Sequence, residues 1–343
     1  MNNPFTLSFG KIPNNYIRRP AVSYEIVNSF LGDNPSFNSH IITGVRGSGK
    51  TVLLTEISGS LKENENWIVA DLNPEQDMLL SLYSKLMEEK PLKTSLKKVS
   101  LNLLGMDLSL ERSVPDKDIE TAIEELLKVV KKNGQKLLIT IDEVANNKEI
   151  KRFCSSFQIF LRHDYPVFLL MTGLYENINA VINSKTMTFL LRTPKTVLGP
   201  LDLASITETY EKTLSVEKEE ALKLARLSKG YAFAFQTIGY LYYKSETKSI
   251  DAIISEFDYY LREFVYRKIN EDLSVKDRLL LSKLSCDTPV KTKDLIDNED
   301  FNEKSLSVYR NRLKEKGLID VSQHGMMSLS LPRFDVFLKN YEQ

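Results

Sequence analysis

The sequence predicts an α/β fold in three parts: a parallel sheet layered with helices, an all-helical segment, and a small winged helix-turn-helix at the C-terminal end. Three observations carry this. Apolar runs of strand length alternate with helical periodicity from Ile41 to Leu198, as expected of a parallel sheet buried on both faces. From Asp202 to Asp272 the strand-like runs cease and four helical stretches follow one another. The last seventy or so residues change again, to three short helices and two short apolar strands around His324-Gly325. The expected boundaries are 1–201, 202–272 and 273–343.

The elements follow in order. Ile41-Ile42-Thr43 is a buried strand, and a helix runs from the following glycine-rich loop to about Lys62. Trp67–Leu72 is a second strand, and residues Glu75 to Glu89 form a helix with Met78, Leu79, Leu82, Leu86 and Met87 at helical spacing. Between Lys97 and Leu110 the apolar residues alternate with polar ones on either side of Gly105, which predicts an inserted β-hairpin with an apolar tip. Such a tip suits a protein contact better than a phosphate. A helix over Asp116–Lys132 leads to Lys136–Ile141, a near-continuous apolar strand ending in Asp142-Glu143. Lys148–Arg162 reads as a helix, Val167–Gly173 as a strand and Thr196-Val197-Leu198 as a last short strand. The helical segment comprises Ala204–Leu214, Val216–Leu227, Tyr231–Lys244 and Ile250–Asp272. The C-terminal helices are Val275–Leu284, Thr292–Leu295 and Glu303–Lys316.

Composition narrows the class. The chain has 343 residues, of which 42% are hydrophobic and 27% charged, ordinary for a globular protein of two or three domains. Lys plus Arg equals Asp plus Glu, so no global field draws it to nucleic acid or membrane, and any such surface is local. Cys154 and Cys286 stand far apart in apolar surroundings and the three histidines are scattered, which argues against a disulfide framework or a zinc site. The N-terminal residues lack signal-peptide features and no apolar run reaches membrane length. A cytoplasmic protein without a membrane partner is expected.

The chemistry concentrates at Gly44-Val45-Arg46-Gly47-Ser48-Gly49-Lys50-Thr51-Val52. Gly44 to Thr51 matches the phosphate-binding P-loop spacing G-x-x-x-x-G-K-[ST]. Glycines remove side chains where backbone must wrap a phosphate, loop amides form an anion nest, and the helix adds its positive end. Lys50 is placed to reach the β- and γ-phosphates of ATP, and the Thr51 hydroxyl to ligate Mg²⁺. Asp142, at a strand end about ninety residues on, is expected to share the Mg²⁺ with Thr51, and Glu143 to activate the attacking water. Thr172 ends the next strand, where a hydroxyl can report nucleotide state or simply cap the turn.

These residues resemble the AAA+ ATPases, most closely the origin-recognition clade and its relatives. Phe9–Pro13, Gly44–Leu54 and Ile139–Val144 are also similar to stand-alone bacterial ATP-binding proteins. The resemblance implies ATP hydrolysis and possible homo-oligomers. It implies that Thr172 is the sensor 1 residue, that Ile17 lies over the adenine, and that Arg192 faces a γ-phosphate, its own or a neighbour's. Ordinary packing for Ile17, and a surface or lid-paired position for Arg192, are the alternatives. One departure stands out: the lid position that carries an arginine in that clade reads Gly230-Tyr231-Ala232-Phe233-Ala234-Phe235-Gln236 here. Slow turnover, or use of ATP as a switch, follows from that absence.

Lys304 to Gly317 holds five basic residues and one acid. Tyr309, Arg310, Arg312 and Lys316 are expected to meet double-stranded DNA if this helix enters a major groove. The alternative is a signalling ATPase of the STAND type, whose winged helix and hairpin bind protein. The acids Asp294, Asp297, Glu299, Asp300 and Glu303, just before the helix, favour that alternative.

Overall fold

The computed structural model describes residues 3–8, 12–32, 35–89, 92, 116–184, 187–297 and 299–341. The hairpin expected at 97–110 lies outside them. The chain forms two compact units. One comprises Pro20–Thr43 and Leu53–Thr196; the other comprises Met1–Arg19, Gly44–Val52 and Val197–Gln343.

The first unit is the sheet. Its strands β1 (Ser39–Thr43), β2 (Trp67–Leu72), β3 (Lys136–Ile141), β4 (Val167–Gly173) and β5 (Lys195–Val197) lie in the order β2-β3-β4-β1-β5. The pairs β2/β3, β3/β4 and β4/β1 are parallel. Every residue of β4 is buried, which its unbroken apolar run anticipates. Leu137, Ile139, Ile141, Leu169 and Met171 join one apolar cluster. Phe168 packs on Phe30 and Trp67 instead.

The helices are α1 (Pro20–Leu31), α2 (Lys50–Lys62), α3 (Met78–Glu88), α4 (Asp116–Lys132), α5 (Lys148–Arg162) and α6 (Tyr175–Ile182). Asp77 caps α3 and Asn147 caps α5, each accepting from a backbone amide three residues on.

The second unit holds the helices α7 (Leu203–Leu214), α8 (Lys218–Ser228), α9 (Ala232–Lys244) and α10 (Ile250–Leu261). The single helix expected from Ile250 to Asp272 contains a π-helical turn, Arg262–Tyr266, before α11 (Arg267–Glu271). Leu261, Val265, Tyr266 and Ile269 are all buried along this stretch.

The C-terminal part contains α12 (Val275–Ser282), β6 (Val290–Lys291), α13 (Glu303–Glu315), β7 (Ile319–Asp320), β8 (Met326–Leu329) and α14 (Phe334–Tyr341). β6 and β7 both pair antiparallel with β8, as a winged helix-turn-helix requires. Its residues share one core with α7–α10. The Tyr266 hydroxyl donates to Pro332 O at 2.5 Å, and Arg333 grips Asp258 through two nitrogens. α9 also holds the N-terminal segment: Gln236 accepts from Thr6 N–H and donates to Asn15 O. A Cβ on Gly239 would stand 2.5 Å from the Phe5 ring.

His40 on β1 is 3% exposed and bonds Thr196 at 2.8 Å. Burial lowers its pKa from 6.5 to about 4. The unfolded chain therefore takes up this proton first as pH falls. The stability it confers is complete above about pH 6.5 and is lost toward pH 4, by at most ~3 kcal/mol. We expect the difference in urea unfolding free energy between wild type and His40→Gln to shrink across that window; a pH-independent difference would contradict this.

Candidate functional site

The loop after β1 is built as the glycine spacing demands. Gly47 and Gly49 sit at φ +75° and +94°, conformations that side chains disfavour. A Cβ on Gly44 would come within 2.8 Å of Ser48 Oγ. The Lys50 ammonium donates to the carbonyls of Gly44 and Val45, at 3.0 Å each. Ser48 N–H also donates to Val45 O, at 3.2 Å. Ser48 Oγ and Arg46 Nε are buried without a hydrogen-bond partner. The orphan Ser48 hydroxyl and the Lys50 ammonium on one short loop suit an anionic ligand, so the loop fits the phosphates of a nucleotide.

The outer side of the loop is held by its own unit. Tyr231 Oη donates to Arg46 O at 2.5 Å, and Phe233 N–H to Gly47 O at 3.1 Å. The Arg19 guanidinium donates to Ser48 O at 3.3 Å and to Pro200 O at 3.4 Å. Burial lowers the pKa of Arg19 and pushes that of Tyr231 far upward. Val45 packs into the apolar core of the second unit, and Ile17 lies half-buried against that core. Neither Arg19 nor Tyr231 stood out in the sequence, although Tyr231 lies within the stretch Gly230–Gln236 that lacks the expected arginine.

In the sheet unit, parallel register brings the carboxyl ends of β1, β4 and β3 to one edge. Ile42 lies beside Thr172, and Ile141 beside Met171. The 0%-exposed Thr172 hydroxyl donates to Asp142 Oδ1 and accepts from Glu143 N–H at 3.3 Å. Glu143 is exposed and stands at φ +54°, a strained conformation for a residue with a side chain. Val144 N–H, donating to Thr172 O at 2.8 Å, pins the far side of that kink. The structure thus brings together Asp142, Glu143 and Thr172. Arg192 ends the 3-10 turn Thr188–Arg192 and is exposed.

The basic helix α13 needs correction. Arg312 is half-buried and Lys316 buried, and both turn toward Asp277. Arg312 donates to Asp277 Oδ1 from Nε at 3.1 Å and from Nη2 at 2.5 Å, and to Ser274 Oγ at 3.0 Å. Asp277, 1% exposed, is also the capping-box residue of α12. Lys316, 9% exposed, approaches the same carboxylate. Tyr309 is half-buried under the Arg312 guanidinium, 4.7 Å away. A count of basic residues cannot tell faces apart. The spacing of Leu306, Tyr309, Leu313 and Lys316 could have, because it marks one side of a helix. The opposite side carries Lys304, Ser307, Val308, Asn311 and Lys314, all exposed. Among the described residues there is no cluster of metal-ligating side chains and no helix able to cross a membrane. Cys154 and Cys286 are buried and unbridged.

Residues 27–180 match the family ATPase_2, described as an ATPase domain predominantly from Archaea. Residues 263–338 match a domain of unknown function, DUF8462. No curated protein matches the chain. Among solved structures, the chain is similar to the ORC2 protein of Aeropyrum pernix in its ADPNP–ADP complexes. The identity is 14%, the cover 97% of this chain and 96% of that one, and the TM-score 0.57. It is also similar to Cdc6p from Pyrobaculum aerophilum, with 12% identity, 98% of each chain covered and a TM-score of 0.47. At such identities the first likeness is one of fold, and the second adds no argument.

The Asp277 contacts make a stability prediction. Arg312→Ala leaves a buried carboxylate with weakened compensation, and unfolding should become easier by about 2–3 kcal/mol. Lys314→Ala should move stability by no more than about 0.5 kcal/mol. Denaturant titrations of both variants check the contrast, and equal effects would show that Arg312 is not structural.

Proposed function

We propose that this chain, a P-loop protein with the AAA+ fold of the origin-recognition type, binds Mg-ATP and hydrolyses it slowly, as a nucleotide-dependent switch for a DNA-binding winged helix. Its parts are a nucleotide domain over 1–201, a lid over 202–272 and the winged helix over 273–343. The observation that carries the reading is the Gly44–Thr51 loop, with its positive-φ glycines, its lysine and the unpaired, buried Ser48 hydroxyl.

Lys50 would hold the β- and γ-phosphates and offset the charge that develops on them. Thr51 and Asp142 would hold Mg²⁺, which when bound neutralises phosphate charge. Glu143 would take the proton of the attacking water at its carboxylate. The Thr172 hydroxyl, bonded to both acidic residues' positions, supports a role in orienting them and in reporting the γ-phosphate. Arg192, exposed at the end of its turn, suits a γ-phosphate contact within one subunit or across a homo-oligomer. Ile17, packed at the core's edge, suits the adenine face.

For DNA, the exposed side of α13 replaces the expected set. Lys304 and Lys314 would contact phosphates, and Asn311 and Val308 base edges. Arg310, half-buried, belongs at the margin. A protein partner is the second reading, favoured by the apolar side chains of Val275, 76% exposed, and Val308, 59% exposed.

Two measurements test the proposal. Glu143→Gln should retain Mg-ATP affinity and lose turnover by at least about a hundredfold; undiminished turnover would remove Glu143 from its role. Duplex-DNA affinity should fall steeply with salt and weaken further in the Lys304→Ala/Lys314→Ala double variant. No binding to duplex DNA, with or without ATP, would favour the protein-partner reading.

A further inference from the structure

Three successive carbonyls of the P-loop, those of Arg46, Gly47 and Ser48, are each held from outside by a different donor: Tyr231 Oη, Phe233 N–H and the Arg19 guanidinium. In a trans peptide the C=O and the N–H of the next residue point in opposite directions. Anchoring these three oxygens therefore turns the amides of Gly47, Ser48 and Gly49 toward the inner side of the loop. There, Ser48 N–H and Lys50 Nζ already converge on Val45 O.

From this geometry we infer that Tyr231 is a positioning residue of the phosphate site. It is the lid's link to the loop, acting on the backbone where an arginine would act on the phosphate. The inference rests on the nucleotide reading above.

Several details support it. Tyr231 is 5% exposed, and burial keeps its hydroxyl protonated as a donor. Its reach depends on Gly47, because a Cβ there would stand 2.3 Å from Tyr231 Oη and 3.0 Å from Phe233 Cβ. Gly47 is therefore required by its φ of +75° and by the tyrosine above it. Tyr231 is the N-cap residue of α9 yet makes no side-chain cap bond. Its hydroxyl is spent on the loop, and the loop carbonyl of Gly47 instead satisfies the Phe233 amide in the first turn. The same helix grips the N-terminal segment through Gln236, so the loop and that segment are tied to one helix.

The test uses the full chain and two ligands, Mg-ADP and Mg-pyrophosphate, measured by calorimetry. Tyr231→Phe keeps the ring and deletes the donor. Affinity for both ligands should fall by the same factor, roughly three- to tenfold for one buried neutral hydrogen bond. Exchange of the Gly47 amide should also accelerate. Arg19→Gln weakens the hold on the Ser48 and Pro200 carbonyls while leaving Tyr231 in place, and should give the same matched loss. Unchanged affinity in either variant, or a loss for ADP but not for pyrophosphate, overturns the inference. Failure of the wild-type chain to bind Mg-ADP would instead overturn the nucleotide reading itself.

Discussion

The contact between the first turn of α9 and the outer face of the P-loop is the constraint on which the rest depends. A phosphate cradle works only if consecutive peptide planes face the same way, and an isolated glycine-rich loop has too much freedom to keep them there. Here the loop's carbonyls are tied to Tyr231, Phe233 and Arg19, and Val45 is sunk in the core that α7–α10 share with the winged helix. A Cβ on Gly317, at the end of α13, would lie in ordinary contact with Val45, 3.7 Å away. The loop, α7–α10 and the C-terminal elements thus belong to one packed unit. That is the physical basis for reading the protein as a switch: what moves the loop peptides has a short mechanical route to both helical parts.

The strand-end acids are prepared separately, within the sheet. Thr172 joins Asp142 to the backbone of Glu143, and the left-handed turn at Glu143 is fixed from both sides by β4. Strain of this kind persists only where surroundings over-determine it. Two parallel strands locked in register supply that, so the acids are presented by a rigid edge and not by a loose loop.

Much of this was legible in the sequence because it is local. The glycine spacing, the apolar runs of β1, β3 and β4 and the polar residue at each strand end are short-range patterns with one physical meaning. The helix Lys148–Arg162 was readable to the residue; its Asn147 cap emerges only in the structure. What escaped depends on distant pairings. Tyr231 and Arg46 are 185 positions apart, and nothing in either neighbourhood announces the bond. Arg312 and Lys316 read as a basic surface because the partner that draws them inward, Asp277, lies on another helix. The π-helical turn at Arg262–Tyr266 escaped because a periodic pattern of apolar residues does not reveal one extra residue in a turn.

The central claim is that Gly44–Thr51 is a nucleotide cradle coupled to the lid. Hydrogen–deuterium exchange of the wild-type chain with and without Mg-ATP tests it most directly. Binding in the cradle predicts strong protection of the amides from Gly47 to Thr51, together with altered exchange in the first turn of α9. Unchanged exchange at the loop under saturating Mg-ATP, or protection confined to other parts of the chain, would contradict it.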